Sequence, residues 1–199
     1  MSGGSSDLAS KVAGFVGNRP WIRLPQLVIG LLIYGLSGAL QVRSGLGLDP
    51  WDVLHQGIAR HTGLSIGTVL IIVGAAVLLF WIPLRQWPGL GTLANVALIG
   101  VSMNISLELL PHPHATGWRI ADMVTGVALC GVATGMYIGA NLGPGPRDGL
   151  MTGLVRRTGR SVRLVRTLLE VGGERLAEHV EMERDRIRRR IDRAERMAA

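Results

Sequence analysis

Hydrophobic and charged positions are strongly segregated along the chain. Four stretches contain no Asp, Glu, Lys or Arg, and each is long enough to cross about 30 Å of hydrocarbon as a helix. They are residues 24–42, 64–84, 86–107 and 123–146. A helix in a soluble core normally keeps a polar stripe, which these stretches lack. The pattern predicts an all-α membrane bundle with four spans, at about 24–42, 66–84, 90–110 and 120–142.

Composition supports the membrane interpretation. Hydrophobic residues make up 48% of the 199 residues, charged residues only 18%, and glycine occurs 28 times. Small residues let membrane helices approach one another closely. All five tryptophans fall at or near predicted span ends, as in the aromatic belts of membrane proteins. They are Trp21, Trp51, Trp81, Trp87 and Trp118.

The basic residues predict an orientation. If the N-terminus is cytoplasmic, the outside loops hold only three basic residues, Arg43, Arg60 and Arg119. The inside segments then hold the rest, including Arg85 and the arginine-rich C-terminal region. Cytoplasmic loops of membrane proteins carry an excess of Lys and Arg. We therefore expect a multi-pass protein with both termini in the cytoplasm.

A phrase that follows the first span is repeated 96 residues later. GLDPWDVLHQGIARHTGLS occupies 47–65 and GPGPRDGLMTGLVRRTGRS occupies 143–161, with Pro and Asp in register. Upstream, Gly30 and Gly35 align with Gly126 and Gly131. The repeat therefore includes the preceding helix and defines two units, at 24–110 and 120–171. They are flanked by an N-terminal cytoplasmic segment, 1–23, and a charged tail, 172–199.

The predicted repeat unit contains three spans, so the second unit should be inverted relative to the first. Asp52 would then face the outside and Asp148 the cytoplasm. Inverted repeats with broken helices are an architecture of secondary transporters. The same architecture occurs without transport, so it does not by itself establish a function.

Each repeated phrase contains the signals that start and stop a short interfacial helix. Proline suits the first helical position, and Asp52 or Asp148 would lie in the first turn, where a carboxylate can accept backbone N–H bonds. Gly63 and Gly159 suit a left-handed helix end. Two interpretations stay open: the aspartates cap helices, or they bind an ion or substrate or carry protons near the membrane.

Glycines at four-residue spacing give the fourth span one smooth face. They are Gly131, Gly135, Gly139 and Gly143. Such a face suits close helix contact. We expect it to pack within the chain, with contact to a second copy in a homo-oligomer as the alternative.

The two phrases and their surroundings resemble a known family. GLGLDPWDVLHQGIARHTGLSIGT and NLGPGPRDGLMTGLVRRTGRSVRLVRTLLEV are similar to the bacterial YczE-like integral membrane proteins of the YczE/YyaS/YitT group, over about residues 23–171. The resemblance implies a multispanning bacterial plasma-membrane protein with paired three-helix units. It implies no activity and no site residues, because the family has no established biochemical function.

The C-terminus departs from the family pattern, in which hydrophobic spans would continue. Residues 170–199 hold 8 acidic and 8 basic residues and no proline. A segment this charged cannot cross lipid at tolerable cost, and its composition predicts a charged helix from about Glu174. Three interpretations are open: a solvated cytoplasmic tail, a helix that binds an unknown protein partner or dimerises, or a truncated or frameshifted end that lacks the last spans.

A basic cluster precedes this tail, with no acidic residue inside it. Its members are Arg156, Arg157, Arg160, Arg163 and Arg166. Beside a membrane end such a cluster acts as a topology signal and is attracted to anionic lipid head groups. We expect no nucleic-acid binding, because no recognition fold accompanies the charge.

The remaining chemistry of the sequence is sparse. His112 and His114 are too few for a structural metal site, and no nucleophile–base pattern or phosphate loop occurs. We therefore expect no cofactor and no metal, and an enzyme is the class favoured least. The best hypothesis is a permease-like protein for small solutes. The alternative is a non-transporting accessory or scaffold protein that acts through its tail.

Overall fold

A computed structural model of the chain describes residues 20–111 and 113–198. Within these ranges it contains seven α-helices and no strand. They are α1 (Pro20–Ser44), α2 (Pro50–Thr62), α3 (Ile66–Leu79), α4 (Leu90–Leu109), α5 (Thr116–Gly139), α6 (Pro146–Thr158) and α7 (Val162–Ala198). Most of the predicted N-terminal segment, and His112 of the paired histidines, lie outside the described residues. The predicted all-α class is confirmed.

Three of these helices, α1, α4 and α5, are long and apolar enough to span a membrane. The predicted second span, 66–84, is shorter than expected, because α3 ends at Leu79 and its 14 residues cover only about 21 Å. Pro83 opposes a continuing helix, and the chain turns before Arg85, which has φ 52°. Helices α2 and α3 are bent by 114° at the break between them, as in a broken span or a re-entrant loop.

The core lies where α1 crosses α4 and α5. Leu27 and Leu31 of α1 pack with Ile99 of α4, and with Tyr137 and Ala140 at the C-terminal end of α5. Small residues allow the close approach that this packing needs.

Glycines mark the crossing of α1 and α5. A methyl group on Gly30 would lie 3.2 Å from the backbone nitrogen of Tyr137, and one on Gly126 would lie 3.3 Å from that of Gln41. Gly30 and Gly126 are 96 residues apart, and so are Gln41 and Tyr137. The two contacts are therefore equivalent, as expected if α1 and α5 are related by an approximate two-fold axis.

Helix boundaries and backbone conformations recur at the same spacing of 96. Helices α1 and α5 begin at 20 and 116, α2 and α6 occupy 50–62 and 146–158, and α3 and α7 begin at 66 and 162. Positive φ angles occur at corresponding places too. The pairs are Gly45 and Asn141, Gly47 and Gly143, and Gly63 and Gly159. This agreement supports the predicted repeat.

Two arginines make equivalent bonds at the two ends of the α1–α5 pair. Each donates to carbonyl oxygens at the C-terminal end of the other helix, where carbonyl groups lack helical partners. The bonds run from Arg23 to Ala140 and Asn141, at 2.7 Å each, and from Arg119 to Ser44 and Gly45, at 2.7 and 3.0 Å. Each arginine therefore ties one unit to the other.

Helix α7 begins at Val162, not at about Glu174 as predicted, and continues without a break across residue 172. Its small and apolar residues recur every four positions and pack against α2. Val165 and Ala177 are only 6% and 3% exposed, and a methyl group on Gly57 of α2 would lie 3.8 Å from Val180. Of the three interpretations of the tail, that of a solvated segment is therefore wrong for the part up to residue 181, and the other two stay open.

The contact between α7 and α2 has an equivalent in the first unit. Leu84, 96 residues before Val180, lies 3.0 Å from the position of a methyl group on Gly153 of α6. The part of α7 up to residue 181 thus packs on α2 in the same way as the segment before Arg85 packs on α6.

This packing also bears on the predicted orientation. The Arg60 Nη1 and Glu181 Oε1 atoms lie 3.9 Å apart. The charge count places Arg60 outside and the tail inside. Because of this contact, the two side chains lie at the same end of the bundle. Arg60 outside and Glu181 inside is therefore excluded as a combination.

The four spaced glycines do not form one packed face within the described chain. A methyl group on Gly131 or Gly135 would meet no atom within 4 Å, while one on Gly139 would contact Gln26. Gly143 lies beyond the end of α5, with φ 128°, against Thr92. The expected packing within the chain is therefore wrong for Gly131 and Gly135, and contact with a second copy stays a prediction.

Candidate functional site

The starts of α2 and α6, which are the two Pro-x-Asp turns of the repeated phrases, border one cavity of about 500 Å³. Residues from α1, α3, α4, α5 and α7 complete its wall. Six ionisable groups with a formal charge at neutral pH line it. They are Asp49, Asp52, Asp148, Glu170, Arg147 and Arg166. We call this space the central cavity.

The start of α2 is capped by Asp49, not by Asp52 as predicted. The Asp49 Oδ1 atom accepts hydrogen bonds from the backbone nitrogens of Trp51 and Asp52, both at 2.9 Å. Asp52 lies in the first turn as expected, but its Oδ1 atom is 3.3 Å from Nδ1 of His55. Capping therefore uses a residue that the second copy lacks, and it leaves the Asp52 carboxylate in the cavity wall.

The start of α6 has no side-chain cap, because Gly145 stands where Asp49 stands in α2. Asp148 accepts a 2.7 Å hydrogen bond from the hydroxyl group of Tyr137, which belongs to α5. The capping interpretation is thus wrong for Asp148 as well. Its carboxylate is instead held at the cavity by the neighbouring helix.

The predicted stop signals are confirmed in both copies. Gly63 and Gly159 have φ angles of 74° and 65°, and each N–H group donates a 2.9 Å bond to the carbonyl four residues earlier. This left-handed turn ends each short helix.

The two phrases contact each other directly in the cavity. The Arg147 Nη1 atom lies 3.5 Å from Asp49 Oδ2, and the Arg147 guanidinium carbon lies 5.8 Å from the centre of the Trp51 ring. Trp51 and Arg147 occupy the same place in their two phrases, 96 residues apart. Equivalent residues meet in this way only close to a symmetry axis.

This meeting corrects the expected placement of the two aspartates. Asp52 and Asp148 line the same cavity instead of facing opposite sides of the membrane. The physical reason is that α2 and α6 both begin beside this cavity, half-buried between the surrounding helices. Their proline starts let the chain turn there, because proline at the first helical position sacrifices no hydrogen bond.

Aromatic side chains hold this arrangement in place. Tyr34 of α1 packs edge-on against Tyr137, with ring centres 6.2 Å apart. Trp81 is 2% exposed, packs on Gly149, and donates a 3.1 Å hydrogen bond to the carbonyl oxygen of Pro146. Trp81 therefore fixes the start of α6.

The predicted aromatic belt fits only some of the tryptophans. Trp21, Trp87 and Trp118 are well exposed, at 67%, 92% and 69%. Trp81 is buried and Trp51 lies half-buried in the cavity wall, so the belt interpretation is wrong for these two.

The basic cluster lies at the turn from α6 into α7 and all five of its side chains are exposed. Arg157 donates to the carbonyl oxygen of Pro83. Arg166 donates a 3.0 Å bond to Glu170, and this ion pair reaches the wall of the cavity. Contact of the cluster with lipid head groups stays a prediction.

Several cavity residues were not identified from the sequence, namely Asp49, Trp51, Arg147, Tyr34 and Tyr137. The repeat contained one usable signal. Two identical aspartates are flanked by Trp51 in one phrase and Arg147 in the other, a pair that can stack if the phrases meet. The tyrosines carried no such signal, because isolated tyrosines in membrane spans are usual.

Comparison with known proteins identifies relatives without an assigned function. A family model described as "Family of unknown function (DUF6198)" matches residues 21–172. An uncharacterized protein of Haemophilus influenzae is 41% identical over 145 residues, which cover 73% of this chain and 66% of the relative. No solved structure matches.

Two Bacillus subtilis proteins are also similar. The uncharacterized membrane protein YczE is 37% identical over 142 residues, 71% of this chain and 66% of that protein. The uncharacterized protein YyaS is 26% identical over 145 residues, 71% of this chain and 72% of that protein. The chain thus aligns with just under two thirds of the first two relatives. It is a helical membrane protein of the YczE-like type and belongs to the family of unknown function DUF6198.

Proposed function

We propose that the protein is permease-like and binds a small solute or ion in the central cavity, between its two repeat units. The observation that carries the proposal is the cavity itself, with ionisable side chains at the starts of α2 and α6 inside a membrane protein. Ionisable groups are costly within a bilayer and commonly mark substrate or ion pathways.

The arrangement of the helices supports the same proposal. Transporters built from inverted repeats place their substrate between the repeats, at helices that are interrupted within the membrane. Here α2 is a short helix that is bent by 114° from α3, and α6 is its equivalent 96 residues later. The equivalent contacts at this spacing suggest an approximate two-fold axis through the cavity. We infer that the solute binds close to this axis.

A flux measurement tests the proposal. The full chain would be reconstituted in liposomes and screened for uptake of labelled small solutes and ions. We expect uptake above that of empty liposomes, and we expect the double variant Asp52→Asn/Asp148→Asn to lose most of it. Glu178→Gln is the matched control, because it removes one carboxylate from an exposed position on α7. Absence of flux for every solute would remove the proposal.

For location, we propose the bacterial plasma membrane with the N-terminus in the cytoplasm. The support is the charge count of the loops, together with the likeness to a bacterial membrane protein. The same count favours a cytoplasmic C-terminus, whereas the contact between Arg60 and Glu181 favours a C-terminal helix that reaches the opposite side. Labelling from one side of the membrane distinguishes these two placements.

A second candidate function is that of a non-transporting accessory protein that binds a partner through α7. It is favoured by the exposed Ile187 and Ile191, four residues apart on an otherwise charged helix. Ending the chain after Met182 would remove this face and keep the part of α7 that packs on α2. Crosslinking in cells with and without residues 183–199 tests it, and an unchanged set of crosslinked partners would count against it.

A further inference from the structure

We infer that the central cavity takes a small organic cation with an ammonium or guanidinium head, and that Arg147 occupies the place of this cation when the solute is absent. The transport aspect of the inference rests on the proposed function. Cation binding can be measured separately, so the two can fail separately.

The charges of the cavity favour a cation. Arg166 and Glu170 neutralise each other, with 3.0 Å between Nε and Oε1. Three aspartates then remain against the one guanidinium group of Arg147, with the His55 ring 3.3 Å from one of them, Asp52. An anionic solute would be repelled by this excess of carboxylates, whereas a cation would be attracted.

The immediate surroundings of Arg147 form a recognition site for a cation. Its guanidinium lies against the Trp51 ring, with a carboxylate oxygen of Asp49 at 3.5 Å. An aromatic face beside a carboxylate is a common way for proteins to bind ammonium and guanidinium groups. The Arg147 side chain therefore indicates that this site accepts a guanidinium group or a similar cation.

The contact between Arg147 and Asp49 is suited to exchange. The two side chains are 39% and 43% exposed, and ion pairs with this much exposure are weak. The cavity of about 500 Å³ has room for a solute of several heavy atoms beside them. A solute cation can therefore take the place of Arg147 without first breaking a buried ion pair.

Exchange would have a mechanical consequence. Arg147 belongs to α6, whereas Asp49 and Trp51 belong to α2, so the contact joins the two repeat units. A free cation that replaces Arg147 removes this direct side-chain contact between α2 and α6.

Calorimetric titration of the full chain in lipid nanodiscs tests the inference. The probe is methylguanidinium, and methylurea is its uncharged control of similar shape. We expect heat of binding for methylguanidinium only. Asp49→Asn should weaken this binding about two- to fivefold, while preserving the helix cap, because Asn caps as well as Asp. Glu178→Gln should leave it unchanged.

Arg147→Gln is the deciding variant, because removal of the competing guanidinium should strengthen methylguanidinium binding several-fold. A misfolded protein cannot produce that gain. Unchanged or weaker binding in this variant, or equal binding of methylurea, would overturn the inference. Cation binding without flux in liposomes would leave the inference standing and remove the transport proposal. Flux of another solute without cation binding would overturn the inference and leave the transport proposal standing.

Discussion

Gly35 and Gly131 occupy equivalent places in the two units and offer a matched test of the fold. A methyl group on Gly35 would lie 2.6 Å from the carbonyl oxygen of Ile99 and 2.6 Å from Cβ of Ser102, both in α4. The same group on Gly131 would meet nothing within 4 Å. The substitutions Gly35→Ala and Gly131→Ala therefore differ in packing and share the same change in helix propensity.

The magnitudes follow from these two terms. Alanine stabilises a helix by about 1 kcal/mol relative to glycine, and this gain applies at both positions. Overpacking a tight contact costs about 1–3 kcal/mol, and this loss applies only at Gly35. We therefore expect the free energy of unfolding of Gly35→Ala to be about 1–3 kcal/mol lower than that of Gly131→Ala.

Unfolding in mixed detergent micelles, followed by circular dichroism, measures this difference. Gly131→Ala should be as stable as the unmodified protein or more stable. Gly35→Ala should be less stable than Gly131→Ala and no more stable than the unmodified protein. Equal stability of the two variants would refute the packing of α1 on α4. A loss at Gly131 as large as that at Gly35 would show that this face of α5 is covered.

Two further measurements examine the site and the orientation. Tyr137→Phe removes the hydroxyl group that donates a hydrogen bond to the Asp148 carboxylate. A hydrogen bond to a charged group is worth about 1.5–3 kcal/mol, so this variant should reduce solute flux in liposomes. Unchanged flux would show that this bond does not matter for transport. His61→Cys and His179→Cys, each in a Cys130→Ala background, test the orientation. Because α7 packs along α2, both cysteines should react with a membrane-impermeant maleimide from the same side. Labelling from opposite sides would exclude that packing in the membrane.

The spans and the helix starts could be predicted from the sequence for physical reasons. Helices α1, α4 and α5 each contain a long apolar stretch that hydropathy identifies, although α1 and α5 begin before the predicted spans, at Pro20 and Thr116. The starts and stops of α2 and α6 follow from local rules for proline and glycine. The predicted second span is longer than the observed helix, because hydropathy does not show that Pro83 ends the helix after Leu79.

The site depended on information that local patterns lack. An odd number of spans in each unit predicts an inverted pair, but not the depth at which α2 and α6 begin, so Asp52 and Asp148 were placed on opposite sides. The residues shared by both phrases do not include Asp49 and Arg147, which occur in one phrase each. Asymmetric residues of this kind provide the contact between the phrases.

The packing of α7 was hidden by its average charge. The best buried positions up to Ala177 are four residues apart, and the positions between them are mostly charged or exposed. A composition count therefore indicates a solvated tail. The four-residue spacing of Val165, Leu169, Gly173 and Ala177 was the signal that predicts a packed face.

The two repeated phrases meet beside the central cavity and form one candidate site. Spin labels on Trp51→Cys and Arg147→Cys, in a Cys130→Ala background in liposomes, test it most directly. If the phrases meet, the doubly labelled protein should show strong dipolar broadening that neither singly labelled protein shows. If they lay at opposite surfaces, about 30 Å apart, its spectrum would equal the sum of the two single spectra, and the account would be contradicted.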